Sequence, residues 1–213
     1  MKKVLAPAFF VVVVLVIAYL LVHNFTGNTK TDSGSIKKAD ETPAGITSVD
    51  KEGLAPGRFI DAFVTKVVDG DTIDVTYKRE KHRIRLLDID TPESVKQGVT
   101  VQPYAKEASN FTRNEVLGES VRLVFESKLE DPYGRLLAHV ILKDGTYLNA
   151  LLVRNGFARA EVLAPNLAYE DYFYELQEKA IKDKAGLWGL PKDKQPFIKD
   201  DTGLYIPRYW QNQ

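Results

Sequence analysis

Cysteine is absent from the 213 residues. That excludes disulfides, thiolate nucleophiles and cysteine-ligated zinc. An excess of charge of either sign is absent too, with 29 Lys and Arg against 29 Asp and Glu. A chain that coats nucleic acid through overall basicity is thereby excluded, and any basic footprint must be local. No internal repeat is visible, so a solenoid or propeller is not expected. Long apolar runs are missing everywhere except at the start. What remains suits one domain of about 130–150 residues plus appendages, large enough to bury a core.

The exceptional run covers residues 4–22 and follows Lys2 and Lys3. Its length suits a bilayer span, and the two lysines favour an inside N-terminus. It is apolar all round, so a helix half-buried on a soluble core is not expected. A cleaved signal peptide is the competing reading. The run is long and no clear small-x-small site follows it, which favours an uncleaved single-pass anchor over residues 1–23. The rest of the chain would then lie outside the cell membrane; secretion after cleavage is the alternative. Residues 24–57 are rich in Thr, Ser, Gly, Lys and Asp without an apolar period. They read as a flexible linker.

From residue 58 the pattern changes. β-branched and aromatic alternation predicts strands over 59–68, 73–77, 83–87, 120–126 and 135–142. Helical periods are expected over 103–117, 147–155 and 169–184. On the last helix Tyr172, Leu176, Ala180 and Ile181 share a face. Trp188 reads as a core plug that docks this helix, and the tail, 191–213, shows no period. Five strands with inserted and appended helices give an α+β domain over 58–190. A small closed barrel is the economical way to remove its sheet edges.

The chemistry concentrates between Val67 and Glu93. A hairpin with Lys78-Arg79-Glu80-Lys81 as its polar turn brings Asp69 and Asp71 beside Arg85, Asp88 and Asp90. Carboxylate oxygens suit hard divalent cations. Guanidinium groups suit phosphate, which they bind bidentately. Asp69 is open to reading as a turn acid. Asp88 is open to pointing away from Asp90, given the two-residue period of a strand. Glu93 follows Pro92 on a constrained loop, as a general base or as an orienter of water. His82 and His139 lack ligand spacing and read as structural.

Three separated motifs now stand in order: Val67-Val68-Asp69-Gly70-Asp71-Thr72, Arg85-Leu86-Leu87-Asp88-Ile89-Asp90-Thr91-Pro92-Glu93, and Asp131-Pro132-Tyr133-Gly134-Arg135. Together with the helix stretch from Tyr104 and the closing Gly186-Leu187-Trp188, they closely resemble the staphylococcal nuclease family. The resemblance implies an OB-fold barrel with three helices. It also implies a Ca²⁺-dependent endonuclease that hydrolyses DNA and RNA to products with 3′-phosphates, acting as a monomer. By position it assigns Asp71, Asp90 and Thr91 (through its carbonyl) to calcium, Glu93 to the attacking water, and Arg85 and Arg135 to the scissile phosphate. Two positions depart from the family's best-known member. Glu161 and Leu163 replace tyrosines that pack on bound nucleotide, and Pro132 replaces a lysine. Barrels of this family also occur as non-catalytic modules that hold nucleic acid or protein. Such a module has no need of Asp71, Arg85, Asp90, Glu93 and Arg135 together.

Overall fold

The computed structural model describes residues 58–95 and 98–212. The anchor expected over 4–22 and the linker expected over 24–57 lie outside the described residues. Among the described residues no helix is long and apolar enough to cross a membrane.

The chain enters on β1 (Phe59–Asp69), whose burial alternates along its length as the two-residue period of a strand demands. β2 (Thr72–Tyr77) and β3 (Glu80–Leu86) form the expected hairpin. Its turn is tighter than the sequence suggested. Glu80 already pairs with Tyr77, and only Lys78 and Arg79 make the reversal, both with positive φ, 48° and 70°. Two left-handed residues match the twist of a two-residue hairpin loop. After the two-residue β4 (Ile89–Asp90) and helix α1 (Ala105–Val116) come β5 (Ser120–Val124) and β6 (Leu136–Ile141).

Among the described residues, five strands close a barrel in the order β1-β2-β3-β6-β5. β1 makes closure possible by pairing with both β2 and β5. Register irregularities between Val64 and Lys66 and between Val67 and Asp69 bend it around the barrel. The parallel β3–β6 pair completes the ring. Val64, Ile73, Val75, Ile84, Leu123, Ala138 and Val140 fill it, all fully buried. This is the five-stranded barrel that the strand count predicted, and with the three α-helices of the described residues it is an OB-type α+β fold.

α1 buries Ala105, Ala108, Phe111, Thr112 and Val116, the face its period predicted. α2 (Leu148–Arg154) buries Leu148 through Val153. α3 (Glu170–Lys182) corrects the expected face: Phe173, Leu176, Gln177 and Ala180 are buried, whereas Tyr172 and Ile181 are only half-buried. The reason is a polar contact. Gln177 accepts the Ala160 N–H of β7 (Arg159–Ala160) at 2.9 Å, which turns position 177 inward despite its polarity.

The tail is the largest correction. Where no element was assignable, β8 (Phe197–Lys199) and β9 (Tyr205–Pro207) form an antiparallel hairpin. Trp188 is the expected plug, but it also docks this hairpin, with ring centroids 4.7 Å from Tyr205 and 6.4 Å from Phe197. Arg159 ties the hairpin to the barrel, donating to the Tyr205 carbonyl at 2.8 Å.

Candidate active site

The turn between β1 and β2 positions the first carboxylates. Gly70 is required there by space. A β-carbon would stand 2.8 Å from Thr91 Cγ2 and 2.9 Å from Ala108 Cβ. This close approach sets Asp71 directly against Thr91. Asp71 Oδ2 accepts the Thr91 N–H and hydroxyl, each at 2.9 Å, and Oδ1 accepts the Thr72 hydroxyl at 2.9 Å. Asp69 proves to be a turn acid with four donors: the Gly70 N–H at 2.8 Å, the Ser94 hydroxyl at 2.8 Å and N–H at 3.4 Å, and the Ser109 hydroxyl at 2.9 Å. Burial, and then the charge of Asp71, still raise its pKa above the ordinary value.

Arg85, on β3, is held rigidly. Its Nη1 donates to the carbonyls of Leu86 at 2.8 Å and Ile89 at 2.7 Å. Nη2 reaches Asp90 at 3.4 Å and Glu161 at 3.3 Å, and Nη1 stands 3.5 Å from Asp71. Arg159 donates from Nε to the other oxygen of Asp90 at 2.9 Å and pairs with Glu161 as well. Three acids and two guanidinium groups are thus interlocked, so each buried charge has a partner. Burial, followed by the Glu161 charge, still pushes Asp90 above its ordinary 3.8, against the pull of Arg159 and Arg85. The sign for metal binding follows. A raised pKa means that a proton competes for Asp90 at milder acidity than usual. If Asp90 holds a hard cation, as the resemblance implies, the affinity for Ca²⁺ should fall on acidification beginning above pH 3.8. Calorimetric titrations across that range check this, and a pH-independent affinity would exclude Asp90 as a ligand.

Arg135 approaches from the turn before β6. Asp131 shapes that turn, accepting the N–H groups of Tyr133 at 2.9 Å and Arg135 at 3.0 Å and the Arg135 Nε at 2.5 Å. Tyr133 is 85 % exposed, and its ring lies 5.6 Å from the Arg135 guanidinium. Glu93 is anchored by Gln102, whose side-chain oxygen accepts its N–H at 2.7 Å; its own Oε1 accepts the Val95 N–H at 3.0 Å.

All six residues singled out in the sequence, Asp71, Arg85, Asp90, Thr91, Glu93 and Arg135, line one cleft of about 550 Å³. Asp69 lines it too, but Asp88 does not. Sequence reasoning missed Arg159 as a partner of Asp90, and Tyr209 and Trp210 as part of the cleft wall. Glu161 was noted only as a replacement, yet it pairs with both Arg85 and Arg159. Arg159-Ala160-Glu161 did carry a signal, because alternate residues of an extended segment place opposite charges on one face. A second groove, of about 680 Å³, shares Arg83, Tyr133 and Arg135 with the cleft and adds Lys66 and Lys81. With a net charge of zero any basic footprint had to be local, and this groove gathers basic side chains, Arg83 among them paired with Asp74 at 2.7 Å.

Carboxylates and guanidinium groups gathered at one cleft of a closed barrel suit a hard cation and a phosphate group. The class of protein follows from comparison with known proteins. Residues 83–189 match the model for staphylococcal nuclease homologues. The chain is 41% identical over 125 residues to a thermonuclease of Staphylococcus intermedius, covering 59% of this chain and 74% of the relative. It is 34% identical over 175 residues to a thermonuclease of Staphylococcus hyicus, covering 82% and 94%. An SPbeta prophage-derived endonuclease, YokF, of Bacillus subtilis (strain 168) is 33% identical over 215 positions, covering 87% and 72%. The chain belongs to the staphylococcal nuclease family and is a hydrolase of that type.

Proposed function

We propose that this protein is a calcium-dependent endonuclease that cleaves DNA and RNA, leaves 3′-phosphates and works as a monomer tethered on the outer face of the cell membrane. The observation that carries the chemistry is the convergence of Asp71, Arg85, Asp90, Thr91, Glu93 and Arg135 on one cleft.

Asp71 and Asp90, with the Thr91 carbonyl, form an all-oxygen donor set, which fits a hard cation such as Ca²⁺. When bound, the ion supplies positive charge beside a phosphate oxygen and acidifies a coordinated water. The protein's own residues do the rest. Phosphodiester hydrolysis adds negative charge to a group that already carries it, so the stabilising charge must be fixed beforehand. Arg85 meets this requirement through its two carbonyl acceptors, and Arg135 through Asp131. Arg135, held through Nε, presents its terminal Nη groups to the phosphoryl oxygens, and Arg85 exchanges its long Nη2 contacts with Asp90 and Glu161 for them. Glu93 holds the attacking water, as a base or as an orienter. The nucleic-acid strand enters along the groove of Lys66 and Lys81.

Glu161 and Leu163 leave the cleft without the aromatic packing that the family's best-known member uses. The tail supplies aromatics instead. Trp210 lines the cleft and is 47% exposed. Base–aromatic stacking contributes about 1–3 kcal/mol. Trp210→Ala should therefore raise KM on short single strands by about 5-fold or more, with kcat nearly unchanged. Steady-state kinetics on oligonucleotides check this; a fall in kcat alone would place Trp210 outside substrate binding.

For the tether, protease added to intact cells should release a soluble, active fragment by cutting within residues 24–57. Digestion only after lysis would reverse the orientation. A mature protein beginning near Asn24 would show a cleaved signal.

A further inference from the structure

We propose that Asp88, Glu126 and His139 form a second metal site, separate from the cleft, that takes a divalent transition ion of the zinc class. The barrel brings the three together. Asp88 follows the end of β3, Glu126 lies just past β5, and His139 lies on β6 opposite Val124. The Leu87 N–H donates to the Ala138 carbonyl at 3.0 Å, which holds the start of the Asp88 loop against β6. One donor atom from each side chain lies within 4.8 Å of the others.

The observation that points to a ligand is Asp88. It is 3% exposed, and neither carboxylate oxygen has a hydrogen-bond partner among the described residues. A buried polar group without a partner is rare and costly, and a buried charge more so. A divalent cation removes this conflict. Two carboxylates, a neutral imidazole and a 2+ ion sum to zero charge.

The other two ligands stand beside Asp88. His139 Nε2 pairs with Glu126, and its Nδ1 stands 2.5 Å from the Tyr147 hydroxyl. Binding an ion would move the imidazole proton to Nδ1, donated to Tyr147, and free the Nε2 lone pair for the metal. A fixed outer partner of this kind is what metal-binding histidines use. Nε2 now lies 2.7 Å from Glu126 Oε1, while Glu126 Oε2 accepts the Ala168 N–H at 3.3 Å. Around a tetrahedral ion the donors would sit about 3.4 Å apart. The ion would thus draw Asp88 inward and spread the Glu126–His139 pair slightly. The Glu126 side chain keeps 10% exposure and gives a path from solvent. Calcium takes 6–8 oxygens, whereas one imidazole with carboxylates in a confined site suits zinc.

The test uses the full chain in mild detergent, stripped of metal and dialysed against Zn²⁺ with excess Ca²⁺ present to keep the cleft occupied. Wild type and Asp71→Asn should each retain one equivalent of zinc. Asp88→Asn, nearly isosteric, and Glu126→Gln should each lose at least tenfold in zinc affinity while keeping the near-ultraviolet circular dichroism of wild type. Should either variant unfold, zinc-edge X-ray absorption on the wild type decides independently: one imidazole among oxygen ligands is expected. No retained zinc, an all-oxygen shell, or zinc lost with Asp71→Asn but kept by Asp88→Asn would overturn the site.

Discussion

Arg135→Lys should lower kcat by about 10²–10³ while leaving KM nearly unchanged, because removing one preorganised donor from a transition state typically has that effect. Lysine keeps the charge and loses the planar fork. The position is suited to a clean reading. Arg135 keeps 30% side-chain exposure, and its chief polar partner is the turn acid Asp131, not a residue of the core. The same change at Arg85 is less clean, since Arg85 also neutralises Asp71, Asp90 and Glu161. Single-turnover kinetics on a defined oligonucleotide separate chemistry from binding, and unaltered circular dichroism controls for folding. A folded Arg135→Lys protein with wild-type turnover would remove Arg135 from the catalytic site.

Asp71→Asn should weaken calcium binding by at least about 10–100-fold, the loss that even outer-shell changes produce at metal sites. Asparagine is the better probe than alanine. Both Asp71 oxygens accept hydrogen bonds from Thr72 and Thr91, and alanine would strand three buried donors at once. Asparagine keeps one acceptor oxygen and the shape, and loses the charge. Calorimetry on the folded variant reads the affinity directly. An unchanged value would move the calcium site away from Asp71.

How much of this was legible in the sequence depended on distance along the chain. Asp71, Arg85, Asp90, Thr91 and Glu93 lie within one hairpin and the loop after it, so strand period and pairing largely determine their convergence. Arg135 was added by the family resemblance, and the fold brings it near because β6 lies beside β3. Asp90's second partner was not legible. Arg159 reaches it through the short β4–β7 pairing, and two-residue strands leave no periodic trace. The tail hairpin escaped for the same reason, as three-residue strands rich in aromatics and proline show no alternation. Asp88 was left open between two faces. Its positive φ of 62° takes it out of strand conformation, so period two no longer governs its direction. On α3 the hydrophobic stripe misled because a polar residue, Gln177, is buried by a main-chain hydrogen bond from β7.

The most direct measurement is cleavage of DNA and RNA by the full chain in three conditions: wild type with Ca²⁺, wild type with chelator, and Asp71→Asn with Ca²⁺, followed by identification of the product ends. Rapid cleavage to 3′-phosphates is expected only in the first. Undiminished cleavage in chelator or in Asp71→Asn would contradict the calcium-dependent mechanism. Tight retention of nucleic acid by the wild type without any Ca²⁺-dependent cleavage would make the barrel a binding module.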